Sequence, residues 1–379
     1  MTVSFCQDCS TKQFLTLFSA SMPRHPMPPD RLTPRPGRLP ERGPILDEDD
    51  MMKAIVFDRI GSPLDDFAVL HLREQPLPFA GAGEALIRMR SASINPGDFL
   101  FIQELYPAPK RPQYPQIGGN HGTGIIAEAS PEVSLPPGTL VAFSYYNSWA
   151  EYAAVPAEWL IPLPADYPIE KAAQFMNLIT AWDLLEQSGV EPGQWLALTA
   201  GNSAVATMVA QMARRRGVRV AAIVRRISAQ RDLTGLGAEL VIELSQPSKP
   251  ISEQIDAMTG GKGVNAVIDS VGGPLLADLA RSLSPGGKAI IYGGFGADPF
   301  ALHNFDLLMK GSAISSYVYR YFFEPPKPQD RETLQAIIAL TAPADFKVLS
   351  AGAHDLDDFR TAIDETLHRP ERGKRFLRM

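Results

Sequence analysis

The chain has 379 residues, of which 45% are apolar, and a formal net charge of −6 at pH 7. Its length allows two domains, and its negative charge argues against a nucleic-acid binder. No apolar run reaches the ~18 residues that a membrane-spanning helix needs, and the two cysteines, Cys6 and Cys9, leave the rest of the chain without a thiol for a disulfide, a nucleophile or a metal site.

Residues 1–50 differ in composition from the rest of the chain. Eight prolines fall between Met22 and Ile45, and four acidic residues follow at 47–50. Such a segment cannot bury enough apolar surface to order itself, so we predict a disordered, proline-rich extension. Cys6 and Cys9 form a C-x-x-C pair, which lacks the two further ligands of a structural zinc site.

Short strands separated by glycine and proline turns follow from Met52 onward, which is typical of a small β barrel. Prolines at 162, 164 and 168 mark a linker, after which one or two helices are predicted at 169–188. The predicted strands are 53–58, 84–91, 124–128, 139–143 and 149–155.

The stretch at 195–226 has the pattern of a βαβ unit. An apolar run at 195–200 predicts a buried strand. Small and apolar residues at helical spacing from Ala204 predict a helix that ends at three arginines and Gly217. A second buried strand is predicted at 218–224.

The turn between the first strand and the helix is a candidate pyrophosphate site, because backbone N–H groups and the helix dipole suit an anion there. Its sequence departs from G-x-G-x-x-G, although Ala206 is an allowed third residue. An ordinary strand-to-helix turn is the alternative. The candidate cofactor-binding residues in it are Gly201, Asn202, Ser203, Ala204 and Val205.

Strands and helices continue to alternate after this unit, which predicts a parallel, doubly wound sheet. From Tyr319 the chain is predicted to be helical and to end in a basic strand at 372–377. Between the βαβ unit and Tyr319, we predict a turn and strand at 235–242, helices at 251–258, 274–283 and 304–310, and strands at 264–270, 288–292 and 313–317.

Five motifs occur in an order that resembles the medium-chain dehydrogenase/reductase superfamily. They are Ser93-Ile94-Asn95-Pro96-Gly97-Asp98, residues 115–124, the turn at 200–206, Leu236-Gly237-Ala238 and Asp269-Ser270-Val271-Gly272-Gly273. The resemblance implies an α/β fold with a GroES-like β-barrel catalytic domain at 52–169 and a Rossmann doubly wound parallel-sheet domain at 170–310. It further implies that 311–379 returns to the catalytic domain and that the protein is a homodimer.

Zinc alcohol dehydrogenases of this superfamily hold their metal with a cysteine and with the histidine of a Gly-His-Glu motif. Here the cysteine position matches Asn95, and the motif matches Gly119-Asn120-His121, with the histidine one place later. We therefore predict no metal and interpret His121 as a hydrogen-bonded loop histidine. The sequence thus resembles the zinc-independent branch: quinone reductases, alkenal reductases and 2-enoyl thioester reductases.

Within that branch, residues 95–107 most resemble mitochondrial-type enoyl thioester reductases, which have Asn-Pro-x-Asp, then Ile-Gln-Gly, then a catalytic tyrosine before proline. Tyr106 matches the tyrosine, and Glu104 replaces the glycine. The resemblance implies that Tyr106 is catalytic and that Asn95 contacts the nicotinamide. The alternatives are a packing aromatic for Tyr106 and plain turn chemistry for Asn-Pro-Gly-Asp.

Further segments resemble the cofactor-binding segments of the same enzymes. They imply cofactor contacts for Thr180 and for Tyr292, Gly293, Gly294 and Phe295. Arg225 and Arg226 end the second strand of the βαβ unit, where an NAD-binding protein has an acidic residue. Guanidinium groups can bind a 2′-phosphate, so we predict NADPH, with a solvated basic pair as the alternative.

These observations predict NADPH-dependent reduction of an activated C=C bond, in a trans-2-enoyl thioester, with Tyr106 as the proton or hydrogen-bond donor. An NADPH-dependent quinone or alkenal reductase is the first alternative, and a non-catalytic NADPH-binding regulatory protein is the second. The predicted partner is a small-molecule or acyl-thioester substrate, without nucleic acid or membrane. The predicted location is cytoplasmic, or mitochondrial in a eukaryote.

Overall fold

The computed structural model describes residues 51–379 except 109, 229–230, 246–248, 295 and 297. The predicted extension at 1–50, with Cys6 and Cys9, lies outside the described residues. The described chain divides into two compact units. The β-rich unit comprises residues 51–176, Arg320–Ala342 and Ser350–Met379, and the parallel-sheet unit comprises Asn177–Tyr319 and Pro343–Leu349.

The secondary structure alternates as expected from the sequence, with strands dominating before residue 163 and helices alternating with strands afterwards. The strands are β1 (Met51–Phe57), β2 (His71–Pro76), β3 (Glu84–Ser93), β4 (Gln116–Ile117), β5 (His121–Ala129), β6 (Leu140–Ser144), β7 (Tyr152–Pro156), β8 (Leu160–Pro162), β9 (Trp195–Leu198), β10 (Arg219–Val224), β11 (Leu240–Glu243), β12 (Val264–Asp269), β13 (Leu283–Ile291), β14 (Ala313–Ser316), β15 (Ser350–Asp355) and β16 (Lys374–Arg378). The α-helices are α1 (Pro96–Ile102), α2 (Ile169–Ala172), α3 (Phe175–Ser188), α4 (Ala204–Arg215), α5 (Ile251–Thr259), α6 (Gly273–Arg281), α7 (Asn304–Leu308), α8 (Arg331–Thr341) and α9 (Phe359–His368).

The β-rich unit contains two sheets. A three-stranded sheet has the order β2-β1-β4, and a seven-stranded sheet has the order β15-β16-β3-β5-β6-β8, with β7 paired to β3. β16 runs antiparallel to β3, so that Phe376 lies opposite Ser93. The C-terminal strand therefore lies beside the end of β3, directly before the Asn95 motif.

The parallel-sheet unit contains six strands in the order β11-β10-β9-β12-β13-β14, each paired in parallel with its neighbours. All four residues of β9 are buried, which explains why its sequence is a continuous apolar run rather than an alternating one. The order reverses between β9 and β12, and ligands of such sheets bind outside the carboxyl ends of the strands at that point. The predicted combination of a β-rich part with a doubly wound parallel sheet is confirmed.

Several predicted elements differ from those observed. Asn-Pro-Gly-Asp begins α1 rather than forming a plain turn, because Asp98 accepts the backbone N–H of Asn95 and closes the first helical turn. His121 begins β5 and does not lie in a loop. β13 starts at Leu283 rather than 288, because its pairing with β12 continues across a bulge through a Pro-Gly-Gly segment.

Some of the observed elements were not predicted from the sequence. β15 lies within the region predicted to be helical, and β2, β4, β8 and α1 have no counterpart among the predicted elements. β14 pairs with β13 in the parallel sheet, so that sheet extends past the predicted domain boundary at 310.

No helix among the described residues combines the length and the apolarity required to cross a membrane.

Candidate active site

The turn between β9 and α4 presents backbone N–H groups at a helix N terminus. Gly201 passes so close to β10 that a Cβ atom on it would lie 2.8 Å from the Cβ of Ala222. Ser203 caps α4 by accepting the N–H of Ala206 at its Oγ, at 3.3 Å. Asn202, Ser203, Ala204 and Val205 are all half-buried. This geometry suits the phosphates of a dinucleotide, because the first N–H groups of a helix attract anions.

The carboxyl ends of β9 and β12 are tied together at the same edge of the sheet. Thr199 Oγ1 donates to Asp269 Oδ1 at 2.7 Å and accepts the N–H of Ser270 at 2.9 Å. Asp269 also accepts the N–H of Gly272 at 2.8 Å. Burial raises the pKa of Asp269, and these hydrogen bonds oppose that rise. The bonds fix the two loops that follow β9 and β12.

The segment after β13 reaches the same edge. A Cβ atom on Gly293 would lie 3.1 Å from the Cβ of Ser270. Burial raises the pKa of Tyr292, and the nearby side chains of Ser203 and Ser270 oppose that rise. The structure therefore brings Tyr292 and Gly293 to the turn that holds Ser203, while Phe295 lies outside the described residues.

Arg225 and Arg226 follow β10, and both are exposed. Neither forms an ion pair with another described residue, so both guanidinium groups are available to an anion. Arg231, which the sequence analysis did not single out, donates from Nη1 to the backbone oxygen of Asn202. Thr180, by contrast, is buried on α3 and only 8% exposed.

Tyr106 lies after α1 in the β-rich unit. Its ring packs edge-on against Phe322, with 4.5 Å between the centroids. Its hydroxyl approaches the start of α1 so closely that a Cβ atom on Gly97 would lie 3.0 Å from it. No described residue forms a hydrogen bond with this hydroxyl. Burial, and secondarily the charge of Asp98, raise the pKa of Tyr106, which keeps the phenol protonated at neutral pH.

Asp98 is a fully buried carboxyl at the N terminus of α1. It accepts the N–H of Asn95 at 2.8 Å, and from Asn120 it accepts the N–H at 2.9 Å and Nδ2 at 3.2 Å. Burial raises the pKa of Asp98 to about 6, although these hydrogen bonds and the charge of Lys374 favour the carboxylate. Asp98 thus holds the two asparagine segments together.

Asn95 is buried and hydrogen-bonded within the protein. Its Nδ2 donates to Oγ and to the backbone oxygen of Ser93, at 3.0 and 3.2 Å. Its Oδ1 accepts Lys374 Nζ at 2.9 Å, and the same ammonium donates to the backbone oxygen of Ile94 at 3.2 Å. Burial lowers the pKa of Lys374 to about 8. The side chain of Asn95 therefore connects β16 to the start of α1.

Lys110 is a second lysine at this site, and the sequence analysis missed it. Its side chain is buried, with 2% of the residue exposed. Its Nζ donates to the backbone oxygen of Tyr145 at 3.3 Å and lies 4.0 Å from the ring centroid of Tyr146. Burial lowers the pKa of Lys110 to about 7, opposed by the charge of Asp98.

His121 lies among these charges rather than in a loop. Burial, with the positive charges of Lys110 and Lys374, lowers its pKa well below the ordinary value, so the imidazole is neutral. Among the described residues, no group of three or more His, Cys, Asp or Glu side chains could hold a metal ion.

Two domain families match the chain. Residues 81–165 match the alcohol dehydrogenase GroES-like domain, and residues 204–340 match the family described as zinc-binding dehydrogenase. The mitochondrial enoyl-[acyl-carrier-protein] reductase of Bos taurus is 27% identical over 342 residues, which are 88% of this chain and 90% of that protein.

Solved structures show the same architecture. A Bacillus thuringiensis protein described as an NADPH:quinone reductase has a TM-score of 0.77 and 27% identity, covering 87% of this chain and 99% of that one. A mycobacterial protein solved in complex with NADPH has a TM-score of 0.73 and 24% identity, covering 86% of this chain and 100% of that one. The chain belongs to the medium-chain dehydrogenase/reductase superfamily, as an oxidoreductase that uses a nicotinamide cofactor, near the enoyl reductases and quinone oxidoreductases.

Proposed function

We propose that this oxidoreductase uses NADPH to reduce a C=C bond conjugated to a carbonyl group, and that its substrate is a trans-2-enoyl thioester. The observation that carries the proposal is the hydroxyl of Tyr106, which is protonated and without a hydrogen bond from a described residue. The curated relatives named as enoyl reductases support the thioester. A homodimer and a cytoplasmic or mitochondrial location stay predictions.

The residues of the parallel-sheet unit fit a dinucleotide. Gly201 lets the turn pack closely on β10, and Asn202 and Ser203 at the N terminus of α4 would hold the phosphates. The exposed Arg225 and Arg226 would bind a 2′-phosphate, which NADPH has and NADH lacks. When bound, the cofactor supplies the hydride.

Tyr106 would act on the charge that hydride transfer creates. Hydride addition at Cβ of an enoyl thioester moves the π electrons of the C=C bond toward the carbonyl oxygen and forms an enolate. An enolate needs a hydrogen-bond donor at its oxygen and a proton at Cα. Because the pKa of Tyr106 is raised, its hydroxyl is a neutral donor at pH 7 rather than a phenolate.

Quinone or alkenal reduction is the second candidate, favoured by the aromatic side chains around Lys110. Tyr145 and Tyr146 lie 4.9 Å apart between centroids, and Phe322 packs on Tyr106. Flat rings of this kind stack well on a planar acceptor. The Bacillus relative described as an NADPH:quinone reductase supports the same alternative.

An acceptor screen that follows NADPH absorbance tests the proposal. Crotonyl-CoA, as an enoyl thioester, should be reduced, whereas butyryl-CoA, which lacks the C=C bond, should leave NADPH unchanged. A benzoquinone in a parallel assay tests the second candidate. Oxidation of NADPH with the quinone alone would replace the first candidate by the second, and oxidation with neither acceptor would contradict both.

A further inference from the structure

We propose that Lys110 binds the oxyanion that hydride transfer creates on the acceptor, as a second stabilising group beside Tyr106. The inference rests on the proposed function, but it does not depend on which of the two acceptors is correct. Hydride addition to an enoyl thioester creates an enolate oxygen, and hydride addition to a quinone creates the charged oxygen of a hydroquinone anion. Both are oxyanions attached to a planar group.

The ammonium group of Lys110 makes fewer hydrogen bonds to described residues than it has N–H donors. An ammonium has three N–H donors, and Lys110 makes one hydrogen bond to a described residue, the 3.3 Å contact with Tyr145. Two aromatic rings also lie near it: Tyr146 at 4.0 Å and Phe322 at 5.4 Å from Nζ to the ring centroid. No described carboxylate forms an ion pair with it. A buried cation with free donors costs free energy unless it interacts with a ligand.

Buried cations elsewhere in the same unit are bonded differently. Lys171 donates to the backbone oxygens of Thr341 and Ala342 at 2.7 and 3.2 Å. Arg375 forms an ion pair with Glu365 at 2.6 Å. Both residues therefore have clear roles in holding the fold together. Within the described part of the chain, Lys110 has neither an anion nor a second carbonyl as a partner, so a purely structural role explains it poorly.

The charges around Lys110 leave a positive surplus. Asp98 is the carboxylate that acts on it, and Lys374 lies in the field of the same carboxylate. His121 is neutral and adds no charge. The titratable groups that face this site are Asp98 from α1, Tyr106 and Lys110 from the following loop, His121 from β5, Tyr145 and Tyr146 after β6, and Lys374 from β16. Glu84 and Glu158 act on Tyr145, whereas Asp98 is the carboxylate that acts on the two lysines. One carboxylate beside two lysines favours an anionic ligand.

Lys110 and Tyr106 contact the same ring. Phe322 lies 4.5 Å from the Tyr106 centroid and 5.4 Å from Lys110 Nζ. Both donors therefore lie against one apolar ring. Electrostatic stabilisation is strongest in such surroundings, because little water competes with the donors.

The reaction step balances without another reactant. The hydride forms the new C–H bond at Cβ of the enoyl thioester, and the C=C electrons become the enolate that Lys110 and Tyr106 stabilise. A proton from solvent then bonds to Cα as the carbonyl reforms, which completes the reduction. The charged form of Lys110 is the stabilising one, and it is lost as pH rises through about 7.

The test compares wild type, Lys110→Met and Lys110→Arg with crotonyl-CoA and with the quinone, over pH 6 to 9. Lys110→Met should lower kcat by about 10²-fold at pH 6. For the wild type, kcat/KM should fall as pH rises through about 7. Lys110→Arg keeps the charge at every pH used, so it should retain activity and lose that fall. The comparison between variants is needed because Lys374, with a pKa of about 8, titrates in the same range.

Lys171→Met is the matched control, since it removes another buried lysine of the unit. It should lower the melting temperature and leave the pH profile unchanged. A folded Lys110→Met with wild-type kcat and the same fall would overturn the proposal for Lys110 alone. If that variant does not fold, a Lys110→Arg profile that still falls at about pH 7 overturns it. A wild type that reduces neither acceptor overturns the proposed function and this role together.

Discussion

Glu104, two residues before Tyr106, has a backbone conformation that residues other than glycine rarely adopt. Its φ is 53°, in the left-handed region, where the enoyl reductases that the sequence resembles have glycine. A left-handed residue with a side chain costs about 1–2 kcal/mol. Tyr114 Oη donates to Glu104 Oε1 at 2.5 Å. This hydrogen bond stabilises the conformation and offsets part of its cost.

Substituting Glu104 separates the backbone strain from the hydrogen bond. Glu104→Ala keeps the strain and loses the bond, which is worth about 1 kcal/mol because Tyr114 is partly exposed. Glu104→Gly loses the same bond, relieves about 1–2 kcal/mol of strain and loses about 0.5–1 kcal/mol through the greater chain entropy of glycine. The glycine variant should therefore be more stable than the alanine variant by about 0.5–1 kcal/mol.

Thermal unfolding measures the difference. A free energy of about 1 kcal/mol corresponds to ~2–4 °C in a unit of this size. Tyr114→Phe removes the hydrogen bond without touching the backbone of Glu104, so it should match Glu104→Ala. Equal melting temperatures for the glycine and alanine variants would refute the argument from backbone strain.

Two further predictions concern the cofactor and metal content. The wild type should bind NADPH at least ~10-fold more tightly than NADH, a difference of about 1.4 kcal/mol in binding free energy. The double variant Arg225→Ala with Arg226→Ala should abolish that preference. Equal affinities of the wild type for the two cofactors would count against the binding of the 2′-phosphate by these arginines. Elemental analysis should find no stoichiometric zinc, because Asn95 stands where the superfamily has a cysteine ligand. One zinc per chain, lost together with activity, would show that interpretation to be wrong.

The parallel sheet was predictable because its central strands β9, β10 and β12 are buried on both faces. Continuous apolar runs such as 195–198, followed by a turn of small residues and an amphipathic helix, encode this architecture locally. Strand order was accessible only through the superfamily resemblance, since pairing depends on contacts distant in sequence. β2 and β15 were missed because both are largely exposed and polar, without the alternation that marks a half-buried strand.

The site was predicted less completely than the fold. Sequence patterns indicated Tyr106 and the turn at 201–205, because motif spacing identifies both. Lys110 and Lys374 were missed, since a lysine near prolines or near the C terminus normally indicates an exposed residue. Their burial arises from tertiary packing, with Lys110 covered by aromatic rings and Lys374 beside Asn95. The replacement of glycine by Glu104 indicated an altered loop, and Glu104 has a left-handed backbone conformation there.

The role of Tyr106 is the central claim, and Tyr106→Phe tests it most directly. The substitution keeps the ring that packs on Phe322 and removes a hydroxyl without a hydrogen bond from a described residue. The melting temperature and NADPH affinity should therefore stay nearly unchanged, while kcat for crotonyl-CoA should fall ~10²- to 10⁴-fold. A Tyr106→Phe protein that reduces crotonyl-CoA as fast as the wild type would contradict the account.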